Sequence, residues 1–174
     1  MRTIVPENSP LRTLQITFVA PVPTGRIEAR AEVLRNGRNT AHVEARIMSE
    51  DQTLAVMLGV FGAGRLSEVS IVPEQPRVEM DEGTVFHFLP GVTPNCVQHF
   101  EGRWRRGAPP ATGDTETKHV VDVRMRDFGL ASEYHVLAIA DFLPPIAFSL
   151  LPKPVTGGSM MWMLELITDQ LGGL

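Results

Sequence analysis

The chain has 174 residues, of which 43% are hydrophobic and 21% charged, and its formal net charge is −4. Those values describe an ordinary globular chain, long enough to bury a core and to hold one domain or two small ones. They exclude the dominant basic face that nucleic-acid binding needs, and the lone Cys96 excludes an intrachain disulfide or a cysteine zinc cluster while fitting a reducing, cytoplasmic setting.

The first ten residues, MRTIVPENSP, hold no long apolar core and do not read as a secretory signal. Residues 14–62 read as a β-meander. Ile27, Ala29, Ala31 and Val33 alternate with Arg26, Glu28, Arg30 and Glu32, the period of a strand with one buried face. The Asn-Gly pair in RNGRN, 35–39, marks a tight turn. Ala41, Val43, Ala45 and Ile47 then alternate with His42, Glu44 and Arg46. A register that sets Arg30 against Glu44 and Glu28 against Arg46 matches charges and apolar positions together. Leu54–Phe61 is apolar on both sides and reads as an interior strand.

Residues 63–95 hold four prolines and the acidic stretch EMDEG, and they read as a connector with a short element around Val85–Leu89. Strands are expected at 96–104 and 119–127, joined by the long loop GAPPATGDTE. A helix is expected over 131–143 or beyond, with Ser132 as N-cap and Glu133 in its first turn. Pro144 and Pro145 should end or kink it. SMMWMLELI, 159–167, reads as a further strand.

The run from Tyr134 to Leu151 contains no Lys, Arg or Glu, and Asp141 is its only acid. It approaches membrane-spanning length, but Asp141 and the Pro144–Pro145 pair argue against a membrane helix. Asp141 has two readings. It is the N-cap of a second helical segment, 142–151, with the prolines in its first turn. Or it is a general base, its carboxyl made more basic by an apolar cleft. His135 reads as a hydrogen-bonded helix histidine. His42, His87 and His99 have no ligand spacing, so no metal is expected.

Four stretches carry a family resemblance. FVAPVPTGRIEARAEVLRNGRNTAHVEARIMSEDQTLAVMLGVFG, 18–62, resembles the later strands of a hot-dog repeat. QHFEGRWRRG with ADFLPPIAF resembles the opening strand and central helix of a second repeat, and SMMWMLELI its next strand. The pattern is similar to the double hot-dog acyl-CoA thioesterase II family and its thioesterase-like relatives. The resemblance implies an α+β hot-dog fold, an antiparallel sheet wrapped around a central helix. Residues 1–75 would be the later strands of a first repeat, 76–95 a connector, and 96–174 the first part of a second. The chain would then be a fragment, a truncated product or a permuted single hot-dog. Unpaired strand edges lead us to expect a homodimer or higher homo-oligomer.

In that family an Asp on the second central helix, a Thr or Ser on the next strand and a Gln near the chain's end activate a water against a thioester carbonyl. The resemblance places Asp141 at the Asp position and Ser159 at the hydroxyl position, with the Gln expected beyond Leu174. Ser159 is otherwise turn chemistry after Gly-Gly. Arg103, Arg105 and Arg106 would meet the phosphates of coenzyme A, or else form a solvated strand end. MMWM would line an acyl tunnel or pack a core. The expected activity is hydrolysis of acyl-CoA thioesters with no cofactor beyond the coenzyme A of the substrate. The alternative is a non-catalytic module that binds acyl thioesters or serves in assembly. A hydratase-type hot-dog is disfavoured, because no His follows Asp141.

Overall fold

A computed structural model describes residues 1–69, 71, 74, 77, 79–127, 132–169 and 171. The chain divides into two compact units, Met1–Ser70 with Gly158–Gln170, and Ile71–Gly157 with Leu171–Leu174.

The first unit is a five-stranded antiparallel sheet. Its strands are β1 (Leu11–Phe18), β2 (Glu28–Asn36), β3 (Thr40–Ser49), β4 (Gln52–Gly62) and β8 (Met161–Glu165), in the order β2-β3-β4-β1-β8. The meander expectation holds for β2, β3 and β4. β1 departs from it by pairing with β4 instead of β2, and β8 adds to β1's other side. Period-two alternation puts Leu14, Ile16, Ala41, Val43, Ala45, Ala55 and Phe61 among the buried residues. Each such aliphatic or aromatic burial contributes roughly 1.5–3 kcal/mol for a large side chain. The N-terminus covers part of β4: the Arg2 guanidinium lies 5.1 Å from the Phe61 ring centroid, and its Nη1 donates to the Ser9 carbonyl at 2.6 Å.

The β2–β3 hairpin turns where RNGRN predicts, with Gly37 N–H donating to Thr40 O at 2.8 Å. Its register differs from the sequence expectation by two residues. Arg30 faces Arg46, and Glu32 faces Glu44. The charges are matched along each strand instead: Arg30 Nε donates to Glu28 at 2.8 Å and Arg46 Nε to Glu44 at 2.6 Å. Residues i and i+2 share a face, so this pairing serves as well as the cross-strand one. An even slip keeps every side chain on its face, which is why the alternation alone leaves the two registers undecided. β2 is exposed at all nine positions, so its apolar set is not buried as the alternation implies. It is an edge strand. β4 lies in the sheet interior, as its apolar run predicts.

The second unit holds a three-stranded antiparallel sheet, β5 (Thr84–Val85), β6 (Phe100–Arg106) and β7 (Val120–Met125), in the order β5-β6-β7. The expected strand start at 96 is instead a 3-10 turn, Asn95–His99, and the expected element at Val85–Leu89 shrinks to Thr84–Val85. Helix α1 spans Glu133–Phe142, and Leu143 breaks to extended backbone ahead of the two prolines. The expected start at 131 lies outside the described residues. A short helix, α2, follows at Ala147–Leu150. The long 107–119 loop is held to the end of α2 by three bonds: Ala111 N–H to Phe148 O at 2.8 Å, Asp114 N–H to Ser149 O at 2.9 Å and Gly113 N–H to Leu151 O at 3.0 Å. These amides satisfy carbonyls that a helix end leaves without intrahelical partners.

Antiparallel sheets with a principal helix make the chain an α+β protein. Gly102 on β6 pairs with Val123 on β7, and a Cβ there would overlap the Asp122 carbonyl oxygen and meet the Phe86 ring at 2.8 Å. Gly102→Ala should therefore destabilise the second unit by about 1–3 kcal/mol or more, the usual cost of overpacking. Denaturant melts followed by Trp104 fluorescence will check this, and an unchanged midpoint would contradict the close approach.

Candidate functional site

Asp141 stands in the last turn of α1 and is exposed. Two sequence expectations change accordingly. The N-cap of α2 is Ile146, so Asp141 does not cap a second helix. Nor is its carboxylate sunk in an apolar cleft. What fixes its place is the next residue. The Phe142 ring lies 4.3 Å from that of Phe100 and 5.2 Å from that of Phe86, both in tilted contact. Such pairs add roughly 0.5–1.5 kcal/mol each beyond burial. They tie the end of α1 to the start of β6 and present Asp141 to solvent beside that junction.

Ser159 is exposed and precedes β8 by two residues, at the edge of the first unit. The neighbouring Met160 carbonyl accepts a 2.9 Å bond from Phe18 N–H, which sets the backbone of this entry to β8. Asp141 and Ser159 thus belong to different units. Along MMWM, Met161 and Met163 are exposed while Trp162 is half-buried.

The three arginines lie on β6. Arg103 Nη1 donates to Glu82 O at 2.7 Å and Arg105 Nη1 to the same carbonyl at 3.4 Å. Arg105 Nε is buried without a hydrogen-bond partner, and the nearest counter-charge is Asp122, at 3.6 Å. A register shift between Trp104 and Arg106 interrupts the β6–β7 pairing at Arg105. Arg106 Nε donates to Glu116 at 2.9 Å. The Glu116 carboxyl is held below the usual carboxylate range, first by the Lys118 backbone N–H and next by Arg106. No group of His, Cys, Asp and Glu able to hold a metal ion occurs among the described residues. Among them also, no helix is long and apolar enough to cross a membrane.

Two hydroxyl–imidazole contacts were not assembled from sequence. Ser149 is buried to 1% exposure; its Oγ donates to Ile146 O at 2.7 Å and lies 3.2 Å from His119 Nε2. That hydroxyl is closed off and structural. The second contact is more open. Ser132 Oγ lies 2.7 Å from His135 Nδ1, and His135 Nε2 lies 3.1 Å from Asp127 Oδ2. Ser132 occupies the N-cap position of α1, as expected, but its side chain makes no capping bond. His135 is the hydrogen-bonded helix histidine that the sequence suggests. The i, i+3 spacing of Ser132 and His135 was the available signal, since it puts both on one face of a helix start.

Comparison with known proteins follows from this geometry. A model of the acyl-CoA thioesterase N-terminal domain matches residues 1–62. No curated protein sequence matches. Among solved structures, a hot-dog protein of unknown function from Alicyclobacillus acidocaldarius superposes with a TM-score of 0.79 at 20% identity, over 96% of this chain and 63% of the other. A proposed thioesterase II from Thermobifida fusca superposes with a TM-score of 0.68 at 19% identity, over 94% and 64%. An acyl-CoA thioesterase II, TesB2, from Mycobacterium marinum gives 0.52 at 12% identity, over 79% and 51%. The chain therefore spans less than two thirds of the length of these relatives.

Replacing Arg106 by Gln removes one of the groups that hold Glu116 ionised and leaves the Lys118 amide in place. A lowered carboxyl contributes its interaction above the ordinary carboxylate range and loses it as pH falls through the lowered value. The Glu116 titration in Arg106→Gln should move upward yet stay below the ordinary range, as carboxyl NMR will read; an unmoved titration would remove Arg106 from the account. The match over residues 1–62 is to an acyl-CoA thioesterase domain, and the chain has the α+β hot-dog fold of these solved structures.

Proposed function

We propose that the protein binds acyl-CoA thioesters and hydrolyses them with a water activated by Asp141. The observation that carries this reading is the match of residues 1–62 to an acyl-CoA thioesterase domain. The placement of Asp141 supports it: an exposed carboxylate at the end of α1, held by the Phe142 contacts, is open to substrate and water. Asp141 takes the water's proton as the oxygen attacks the thioester carbon, and the thiolate of coenzyme A leaves. Arg103, Arg105 and Arg106 receive the phosphates of the coenzyme.

Asp141→Asn keeps the side chain's shape and removes the base. Thiol release from a panel of acyl-CoAs should fall by roughly 10²–10⁴-fold with an unchanged melting temperature. Unchanged turnover would remove Asp141 from the chemistry. One observation favours a second reading, a module that binds acyl thioesters without turning them over: Asp141 is exposed and not enclosed in an apolar cleft. Saturable acyl-CoA binding with no thiol release would select that reading.

We further propose that the chain works as a homodimer or higher homo-oligomer in the cytoplasm. Sheet edges β2 and β8 are the motive, because an exposed strand edge is a template for another chain. Sedimentation at ~10 μM, far above the nM affinities common for stable complexes, should find a dimer or larger species. A compact monomer would count against it.

A further inference from the structure

We propose that Ser132, His135 and Asp127 form a second, covalent acyl-transfer site at the start of α1. The hydroxyl of Ser132 lies 2.7 Å from His135 Nδ1, and the opposite ring nitrogen lies 3.1 Å from the Asp127 carboxylate. One tautomer satisfies all three groups. Nε2–H donates to Asp127, which leaves Nδ1 bare to accept the Ser132 proton. A nucleophile bonded to a base, with the base held by a third group, is the arrangement that activates a serine. The two ring nitrogens are used in the opposite order from the serine-protease triad, which is no obstacle because either can serve as base.

The ordinary duty of a serine at this position is capping, and Ser132 does not perform it: no side-chain capping bond is present. Its hydroxyl is committed to the imidazole. Exposure is also favourable. Ser132 is half-buried, the His135 side chain is 19% exposed and that of Asp127 58%, so the imidazole is sheltered while the array opens to solvent. The Ser149–His119 pair provides the contrast, since that serine is sealed and bonded to a carbonyl. A helix N-terminus also supplies backbone amides with no intrahelical acceptor, a favourable setting for developing negative charge on an acyl oxygen.

The ligand class is an activated acyl group, an ester or a thioester. Ser132 Oγ attacks the carbonyl carbon as His135 Nδ1 takes its proton. The C–O or C–S bond breaks, and the departing alkoxide or thiolate takes that proton from Nδ1. The acyl group remains on Ser132 as an ester. Water then attacks the ester, again giving a proton to Nδ1; the serine oxygen leaves with that proton, and the carboxylic acid is released. Asp127 acts through His135 by fixing its tautomer and is a positioning residue. The site is independent of Asp141, whose water-activated route makes no acyl-enzyme.

The test uses the full chain and p-nitrophenyl acetate, which contains no coenzyme A. Nitrophenolate release is followed, the reaction is quenched in acid, and the protein is mapped by peptide mass. The expected result is a burst of nitrophenolate with one acetyl group on Ser132. Ser132→Ala should lose both, and no capping bond is lost with it. His135→Gln should slow acylation roughly 10²–10⁴-fold. Asp127→Asn should lower the acylation rate constant while leaving KM unmoved and the near-UV spectrum unchanged, a split that a purely structural role would not give. Acetyl groups found only on Lys118, Lys153, Cys96 or the N-terminus, or acylation of Ser132→Ala at the unsubstituted rate, would overturn the proposal.

Discussion

The aromatic contact of Phe142 with Phe100 and Phe86 is the interaction on which the second unit's organisation depends. None of the residues of α1 is fully buried. Through the aromatic contact, the helix C-terminus is joined to the first residue of β6, the strand that also carries Arg103, Arg105 and Arg106. The carboxylate that precedes Phe142 and the cations that follow Phe100 therefore share one rigid junction within the unit. The prolines reinforce the arrangement by stopping α1 one residue after the aromatic anchor.

The first unit is organised by side-chain alternation. Ala41, Val43 and Ala45 on β3 face Phe61, Gly59 and Met57 on β4, and Leu14 and Ile16 on β1 continue the same row. This row was legible in the sequence because the period of two survives any even shift of register. The register itself was not. Charge matching across the strands and charge matching along each strand both satisfy Glu28, Arg30, Glu44 and Arg46, and the structure takes the second. The partner of β1 was hidden for a different reason. Its return to β4 is a long-range contact with no turn signal to announce it.

Helix α1 and its end were legible to within two residues, from Ser132 at one side and the prolines at the other. The misreading of Asp141 has a physical cause. A lone acid in an apolar run suggests burial, but a helix presents its residues all round, and only Phe142 is drawn into aromatic contact while Asp141 is exposed. The hydrogen bond between Ser132 and His135 was also beyond simple reading, because Ser132 at a helix start is ordinarily a cap. Arg105 shows the opposite case. Its neighbours in RWRRG suggest a solvated strand end, yet its Nε is buried beside Asp122 with no hydrogen bond.

We have proposed that the chain engages an acyl-CoA, with Asp141 on α1 and the arginines on β6. Hydrogen exchange of the full chain, with and without a thioether analogue of an acyl-CoA that cannot be hydrolysed, tests it most directly. The account predicts slower exchange in Glu133–Phe142 and Phe100–Arg106 when the analogue is bound. Binding with no change in either segment, or no saturable binding at all, would contradict it.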